Sequence, residues 1–338
     1  MRGNGCSGDE SEPQSSLVVI VGPTAVGKTC LALRLAGELG AEIVSADSRQ
    51  VYRGMDIGTD KPTAEERQRV PHHLVDIVDP DEEFTLAQYQ DMAYAAIDDV
   101  LVRGRVPLLV GGTGLYIKAV VEGWGIPRVR PNETLRTELY REAEAKGGVT
   151  LHARLRRVDP AAAEKIDPRN VRRVIRALEV YLETGRPISE LQRRKPPPYR
   201  VLQIGLTMER VALYQRIDQR VDRMVERGLV EEVRKLVEQG YSYELPAMSG
   251  LGYRQVGCYL RGEISLEEAI RLIKRDTRRF VRQQYNWFRL DDEGIRWFQT
   301  LDDPFERVKG AILQFFTSSR WTWLPPHRHP GTALPGPS

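Results

Sequence analysis

The sequence predicts an α/β fold, with a parallel sheet core and a helical insertion. Continuous apolar runs of strand length alternate with helical patterns between residues 17 and 110, which is typical of a parallel sheet covered on both faces. Arginine-rich helical sequence then fills residues 124–200, and strand character returns at 201–206. An insertion in a sheet core explains this order better than two consecutive domains.

The first half of the chain supplies most of the core elements. A strand at 17–21 leads into a glycine-rich turn, a helix at 30–39 and a second strand at 41–46. A short apolar piece at 74–78, a helix at 85–103 and a buried strand at 107–110 follow. The predicted core comprises 17–123 and 201–317, with later helices at 214–239, 265–274 and 276–289.

The composition is that of an ordinary soluble protein, with 41% apolar and 29% charged residues. Residues 1–16 and 318–338 are polar or rich in proline and predict disordered termini. Three distant cysteines and no C-x-x-C motif favour a reducing compartment over disulfides or zinc. Without a signal peptide or an apolar span, we expect a cytoplasmic protein with no membrane contact.

A complete P-loop motif follows the first strand. Its backbone amides and the start of the next helix suit phosphate oxygens, Lys28 suits a terminal phosphate, and Thr29 suits Mg²⁺. The correct flanks argue against a chance match and predict a P-loop NTPase-like core. The predicted diphosphate-binding residues are Gly22, Pro23, Thr24, Ala25, Val26, Gly27, Lys28 and Thr29.

The chain lacks the acid that NTP-hydrolysing P-loop proteins place after a core strand. The strand at 107–110 ends in glycines, whereas the strand at 41–46 leads to Asp47. At that edge of the sheet Asp47 can act as a general base on an acceptor. The alternative is a turn residue, although the polar segment Asp47-Ser-Arg-Gln-Val-Tyr52 is more than a simple connector.

A second glycine-rich turn, Gly111-Gly-Thr-Gly-Leu-Tyr116, follows the strand at 107–110. It can approach a ligand closely, with Thr113 offering a hydroxyl, or it can be only a tight turn. Loops after parallel strands share one edge of the sheet, which favours a joint site. We interpret the neighbouring pair His72-His73 as structural rather than metal-binding.

Positive charge is concentrated in the insertion. Residues 124–200 hold 18 lysines and arginines against 10 acidic residues, a net charge of +8. Arginines alternate with aromatic residues over 276–289. This combination suits nucleic-acid backbones and unpaired bases, and the alternative is a solvated basic face over core aromatics.

Together these motifs resemble the bacterial tRNA dimethylallyltransferases, also called tRNA isopentenyltransferases. Besides the three loops, the resemblance rests on Arg176-Ala-Leu-Glu-Val180, Arg216-Ile-Asp-Gln-Arg220, Gly252-Tyr253-Arg254 and Trp287-Phe-Arg289, and it covers about residues 17–300 in order. Departures are Arg282-Gln-Gln284 where the family has Lys-Arg-Gln, Asn286 in place of threonine, and Asp60 in place of alanine.

The resemblance implies transfer of a dimethylallyl group from dimethylallyl diphosphate, with Mg²⁺, to N6 of adenine 37 in tRNAs reading codons that begin with U. It implies Asp47 as base, with Lys28, Thr113 and Arg220 as the other catalytic residues, and binding of the anticodon loop through the basic insertion. We separately expect a monomer. The implied tRNA contacts are Asp47, Ser48, Arg49, Gln50, Thr113, Arg136, Arg172, Arg173, Val174, Ile175, Arg176, Gly252, Tyr253, Arg254, Arg282 and Arg289.

Two other functions stay open on sequence grounds. A P-loop kinase of a small metabolite would consume ATP and would not need the basic insertion. A non-catalytic RNA-binding protein with a relic P-loop would be indifferent to substitution of Asp47.

Overall fold

The computed structural model describes residues 15–195, 197 and 199–318. The disorder predicted for 1–14 and 319–338 therefore lies outside the described residues. Ser15 and Ser16, which were assigned to the disordered N-terminus, instead begin the first strand.

The described residues form six strands and fourteen α-helices. The strands are β1 (Ser15–Val21), β2 (Ala41–Ala46), β3 (His72–His73), β4 (Val106–Gly111), β5 (Tyr199–Thr207) and β6 (Ile295–Gln299). The helices are α1 (Lys28–Leu39), α2 (Ala64–Arg69), α3 (Leu86–Val102), α4 (Gly114–Val121), α5 (Glu133–Lys146), α6 (Gly148–Val158), α7 (Pro160–Lys165), α8 (Val171–Thr184), α9 (Ile188–Leu191), α10 (Arg210–Glu226), α11 (Leu229–Glu238), α12 (Tyr253–Leu260), α13 (Leu266–Trp287) and α14 (Phe305–Thr317).

The strands form one parallel sheet in the order β3-β2-β4-β1-β5-β6. The central strand β1 pairs Val18 with Leu108 of β4 and with Leu202 of β5. Its apolar residues 17–21 are fully buried, as a strand covered on both faces requires. This confirms the predicted α/β parallel core.

The chain divides into two compact units. Within the described residues, unit 1 holds 15–84, 92–117 and 199–318, and therefore the whole sheet. Unit 2 holds Thr85–Asp91 and Lys118–Pro197, including helices α5–α9. Unit 2 has its own apolar core, formed by residues such as Leu151, Leu155 and Leu178.

Several elements differ from the sequence-based prediction. The helix predicted at 214–239 is two helices, because Gly228 takes a left-handed conformation with φ 99° and starts α11. The helices predicted at 265–274 and 276–289 are one continuous helix, α13. The apolar piece 74–78 is not a strand, and His72–His73 pairs with β2 instead. Helices α12 and α14 and strand β6 were not predicted.

None of the helices in the described ranges is both long enough and apolar enough to cross a membrane.

Candidate active site

Three loops meet at the carboxyl edge of the sheet in unit 1. Between the loops after β2 and β4, the Thr113 amide donates to the Ala46 carbonyl at 3.2 Å, and Thr113 Oγ1 accepts from the Ser48 amide at 3.0 Å. Gln284 of α13 connects the P-loop to the loop after β4. Its Oε1 accepts from the Thr24 amide at 2.9 Å, and its Nε2 donates to the Gly112 carbonyl at 3.1 Å. The three loops thus form one connected surface.

Backbone sterics explain the glycines in these loops. A Cβ at Gly22 would lie 2.4 Å from the carbonyl oxygen of Leu206, and one at Gly111 would lie 2.1 Å from that of Ala46. Gly27, just before α1, has φ 104°, a conformation that side-chain-bearing residues rarely adopt. Gly22 and Gly27 let the P-loop turn tightly into the start of α1 at Lys28, and Gly111 lets β4 approach β2 closely.

The Lys28 ammonium is held against its own loop. Its Nζ donates to the carbonyl oxygens of Gly22 at 2.9 Å and Pro23 at 2.7 Å. Burial lowers the pKa of Lys28 to about 8, opposed by nearby Asp47 and assisted by Arg220. A bound anion would restore the charged form, so this position suits a phosphate group.

A cavity of about 280 Å³ lies beside these loops. Its polar wall includes Thr24, Lys28, Asp47, Thr113 and Arg220. Its apolar wall consists of Ile217, Val221, Met224, Leu251, Ile273 and Phe280. A ligand with an anionic head and a short apolar tail fits this division.

Asp47 faces this cavity from the loop after β2. Its Oδ1 accepts a hydrogen bond from the Arg49 amide at 2.8 Å, which fixes the carboxylate at the start of the loop. Arg49 in turn donates to the Pro246 carbonyl at 2.8 Å. Gln50 donates to the carbonyls of Thr59 and Asp60 at 3.4 and 3.3 Å. The predicted polar segment is therefore built into the site's wall.

Helix α10 contributes two arginines. Arg220 Nη1 donates to Thr24 Oγ1 at 2.9 Å. Arg216 Nη1 would lie 4.0 Å from a Cβ at Gly27, and among the described residues it has no ion pair. Sequence reasoning did not list Arg216 as a site residue, although its i,i+4 spacing from Arg220 places both on one helix face.

An open cleft of about 800 Å³ lies next to the cavity and shares Lys28, Arg220 and Met224 with it. Thr29 lines only the cleft, where its side chain is exposed. In the described ranges no group of three or more His, Cys, Asp or Glu residues could hold a metal ion. A metal here would therefore depend on Thr29, water and the ligand's own oxygens.

In the Gly252–Arg254 segment, Gly252 and Tyr253 line the cavity. Tyr253 and Arg254 also bind neighbouring acidic side chains. The buried Tyr253 hydroxyl donates to Glu232 Oε1 at 2.6 Å, and burial together with Glu232 raises its pKa. The same carboxylate accepts the amide of Gly58 at 3.1 Å. Arg254 pairs with Asp276 at 3.1 Å. Gly252 starts α12 with φ 90°.

The other basic side chains assigned to tRNA binding in unit 1 are on the surface. Arg282 is exposed on α13, and Arg289, just after that helix, pairs with Asp291 at 2.7 Å. The predicted histidine pair has structural partners: His73 Nε2 lies 2.8 Å from Glu42 Oε2, and His72 Nδ1 lies 2.7 Å from the Val70 carbonyl.

In unit 2 the predicted tRNA contacts divide into two groups. Arg136 and Arg176 both bind the buried carboxylate of Glu179, at 2.9 and 2.7 Å. Val174 and Ile175 are buried in the unit's core. Arg172 and Arg173 are exposed on the first turn of α8. Of the stretch 172–176, only these two arginines offer fully exposed side chains.

Two family models match the chain. The model described as IPP transferase matches residues 50–291, and the one described as isopentenyl transferase matches residues 15–76.

Two curated relatives are each described as tRNA dimethylallyltransferase. One from Roseiflexus castenholzii is 55% identical over 90% of this chain and 99% of its own length. Another, from Dehalococcoides mccartyi, is 52% identical over 87% of this chain and 90% of its own length.

Solved structures agree in fold. A tRNA isopentenylpyrophosphate transferase from Bacillus halodurans is 46% identical with a TM-score of 0.66, covering 90% of this chain and 96% of its own. A structure described as a eukaryotic dimethylallyltransferase acting on tRNA is 26% identical with a TM-score of 0.78. The match covers 92% of this chain and 82% of the eukaryotic chain.

Proposed function

The chain belongs to the tRNA dimethylallyltransferase family, and we propose on that premise that it transfers a dimethylallyl group from dimethylallyl diphosphate to N6 of adenine 37. The acceptors are tRNAs reading codons that begin with U. The observation that carries this proposal is the cavity, whose lining combines P-loop residues, an apolar wall and one carboxylate, Asp47.

The diphosphate binds at the polar wall. P-loop amides, Lys28 and Arg220 supply hydrogen bonds and positive charge, and Arg216 adds a further cation beside Gly27. Lys28 exchanges its two carbonyl partners for phosphate oxygens. An allylic carbon–oxygen bond breaks readily, so stabilising the charge of the leaving diphosphate is the main requirement.

The isoprenoid tail occupies the apolar wall, where Ile217, Val221 and Ile273 exclude water from the allylic carbon. The adenine N6 forms a bond to that carbon as the bond to the diphosphate breaks. Asp47 accepts the proton that N6 loses, and Thr113 orients the loop through Ser48.

We propose that Mg²⁺ binds with the diphosphate. Thr29 is the protein ligand available at the start of α1, and Mg²⁺ commonly uses few protein ligands together with water and phosphate oxygens. When bound, the ion neutralises part of the diphosphate charge.

The anticodon loop binds through basic side chains. Adenine must leave its stack to reach the cavity, at a cost of a few kcal/mol, which phosphate contacts can offset. We propose Arg172, Arg173, Arg254, Arg282 and Arg289 for these contacts, with Arg136 and Arg176 supporting α8 through Glu179. We further propose a cytoplasmic monomer whose basic insertion, residues 124–200, binds the tRNA.

The test is reconstitution with dimethylallyl diphosphate, Mg²⁺ and an unmodified tRNA carrying A36 and A37. We expect N6-(dimethylallyl)adenosine among the digested nucleosides. Absence of this product beside an active control enzyme would refute the proposal. The family models and relatives favour the transferase over a metabolite kinase, which would instead consume ATP and phosphorylate a small acceptor.

A further inference from the structure

Arg220 lines both the cavity and the open cleft. On the cavity side its Nη1 donates to Thr24 Oγ1 at 2.9 Å. The same Nη1 lies 3.4 Å from Asp60 Oδ2, and Asp60 lines only the cleft. The arginine that faces the proposed diphosphate site thus already has an anionic partner supplied by the chain.

The backbone fixes Asp60 in this position. Its φ is 52°, a left-handed conformation in which Asp and Asn are tolerated better than most residues. Its amide donates to the Ile57 carbonyl at 3.1 Å, and its own carbonyl accepts from Gln50 Nε2 at 3.3 Å. Its second carboxylate oxygen lies 3.7 Å from Arg227 Nη1. The carboxylate therefore forms ion pairs with two arginines.

A diphosphate in the P-loop would compete with this carboxylate for the Arg220 guanidinium. Once bound, its negative charges also lie near the charge of Asp60, because both anions approach the same guanidinium. Both effects lower affinity for the anion. They act on donor and product alike, since each carries a diphosphate.

We propose that Asp60 is an affinity-setting residue, whose carboxylate competes with diphosphate for Arg220 and speeds release of the product after transfer. The proposal rests on the proposed function for the identity of the ligand. Apart from Asp60, the proposed diphosphate site contains loop amides, Lys28, Arg220 and Arg216. This set of donors and cations favours tight binding of the diphosphate product. The Asp60 carboxylate weakens this binding, so that the diphosphate product can leave.

The experiment uses Asp60→Asn, which keeps the shape and the left-handed backbone but removes the charge. Binding of inorganic diphosphate with Mg²⁺ is measured by calorimetry, and its inhibition constant is measured against dimethylallyl diphosphate. We expect diphosphate to bind about three- to tenfold more tightly. We also expect the KM for the donor to fall. Asp99→Asn is the matched control, because it breaks the Arg103–Asp99 surface pair away from both cavities.

Unchanged or weaker diphosphate binding by Asp60→Asn would overturn the proposal, since weaker binding would make Asp60 a supporting partner of Arg220 or of the metal. Asp60→Gly, which also accepts a positive φ, must repeat the tightening. The calorimetry needs neither tRNA nor turnover. A protein that binds diphosphate more tightly as Asp60→Asn but never modifies tRNA would refute only the proposed function.

Discussion

Gln284 donates a hydrogen bond from Nε2 to the Gly112 carbonyl oxygen at 3.1 Å. Its Oε1 accepts the Thr24 amide at 2.9 Å, so one buried side chain of α13 joins the P-loop to the loop after β4. The position of Lys28 relative to Thr113 depends on this bridge. Gln284 is thus a positioning residue for the cavity.

Replacing Gln284 with Leu leaves the Thr24 amide and the Gly112 carbonyl without this partner. Each unpaired buried group costs about 1–3 kcal/mol, so we expect a destabilisation of at least about 1 kcal/mol and a fall of about tenfold or more in kcat/KM for the donor. Urea unfolding and steady-state kinetics measure the two effects. Gln283→Leu, at the exposed neighbouring position, is the control, and equal behaviour of the two variants would contradict the bridge's role.

Asp47→Asn removes the proposed base with little change in shape. We expect single-turnover transfer to slow by about 10²-fold or more, while tRNA affinity stays within about twofold, because the Arg49 amide can still bond to the amide oxygen that replaces the carboxylate. Rapid quench and filter binding report the two quantities. A normal transfer rate would refute Asp47 as the base.

The depressed pKa of Lys28 gives a pH signature. Below about pH 8 the amine is protonated and can bind diphosphate, and above it the charge is lost. We therefore expect kcat/KM for the donor, which reports the free enzyme, to fall as pH rises through about 8. Lys28→Arg should lower the rate but move this decline to higher pH. A profile that stays flat up to pH of about 10 in the native enzyme would contradict the account.

The close approach of β4 to β2 makes Gly111 intolerant of a side chain. Gly111→Ala places a Cβ 2.1 Å from the Ala46 carbonyl oxygen, and we expect a loss of about 2–3 kcal/mol in the free energy of unfolding. Gly37→Ala on α1 has open space around the new Cβ and should stabilise by up to about 1 kcal/mol. Thermal unfolding compares the two; a stable Gly111→Ala protein would show that the strands can separate freely.

Arg172 and Arg173 offer exposed charge on α8 without an ion pair in the described part of the chain. We expect the double substitution to Ala to weaken tRNA binding and to reduce the slope of log Kd against log salt by about one per lost phosphate contact. Arg186→Ala, which breaks an exposed 3.9 Å pair with Glu190, is the control. An unchanged salt slope would exclude the two arginines from phosphate contact.

Local sequence was enough to predict the features that depend on local geometry. The P-loop, Asp47 and the turn at Thr113 each follow a buried strand. Parallel pairing of these strands brings the three loops to one edge of the sheet. The uncharged bridge through Gln284 was not predictable, because its partners lie 260 and 172 residues away in the chain. Only packing of α13 against the loops reveals it.

The remaining differences have similar causes. Strand β6 buries only Ile295 and Phe298 and lies at the sheet edge, so its pattern is weak. Gly228 breaks a predicted helix because of its backbone conformation, although glycine alone does not require a break. Arg216 was not predicted as a site residue because an arginine on a helix is usually solvated. Its position beside Gly27 depends on how α10 packs against the P-loop.

The most direct measurement follows diphosphate release and adenine modification together in one reaction with tRNA and dimethylallyl diphosphate. We predict one diphosphate released for each N6-dimethylallyl group at A37, no product with a tRNA bearing G37, and rates of both signals about 10²-fold lower or more with Asp47→Asn. Diphosphate release without tRNA modification, or modification of equal rate with Asp47→Asn, would contradict this prediction.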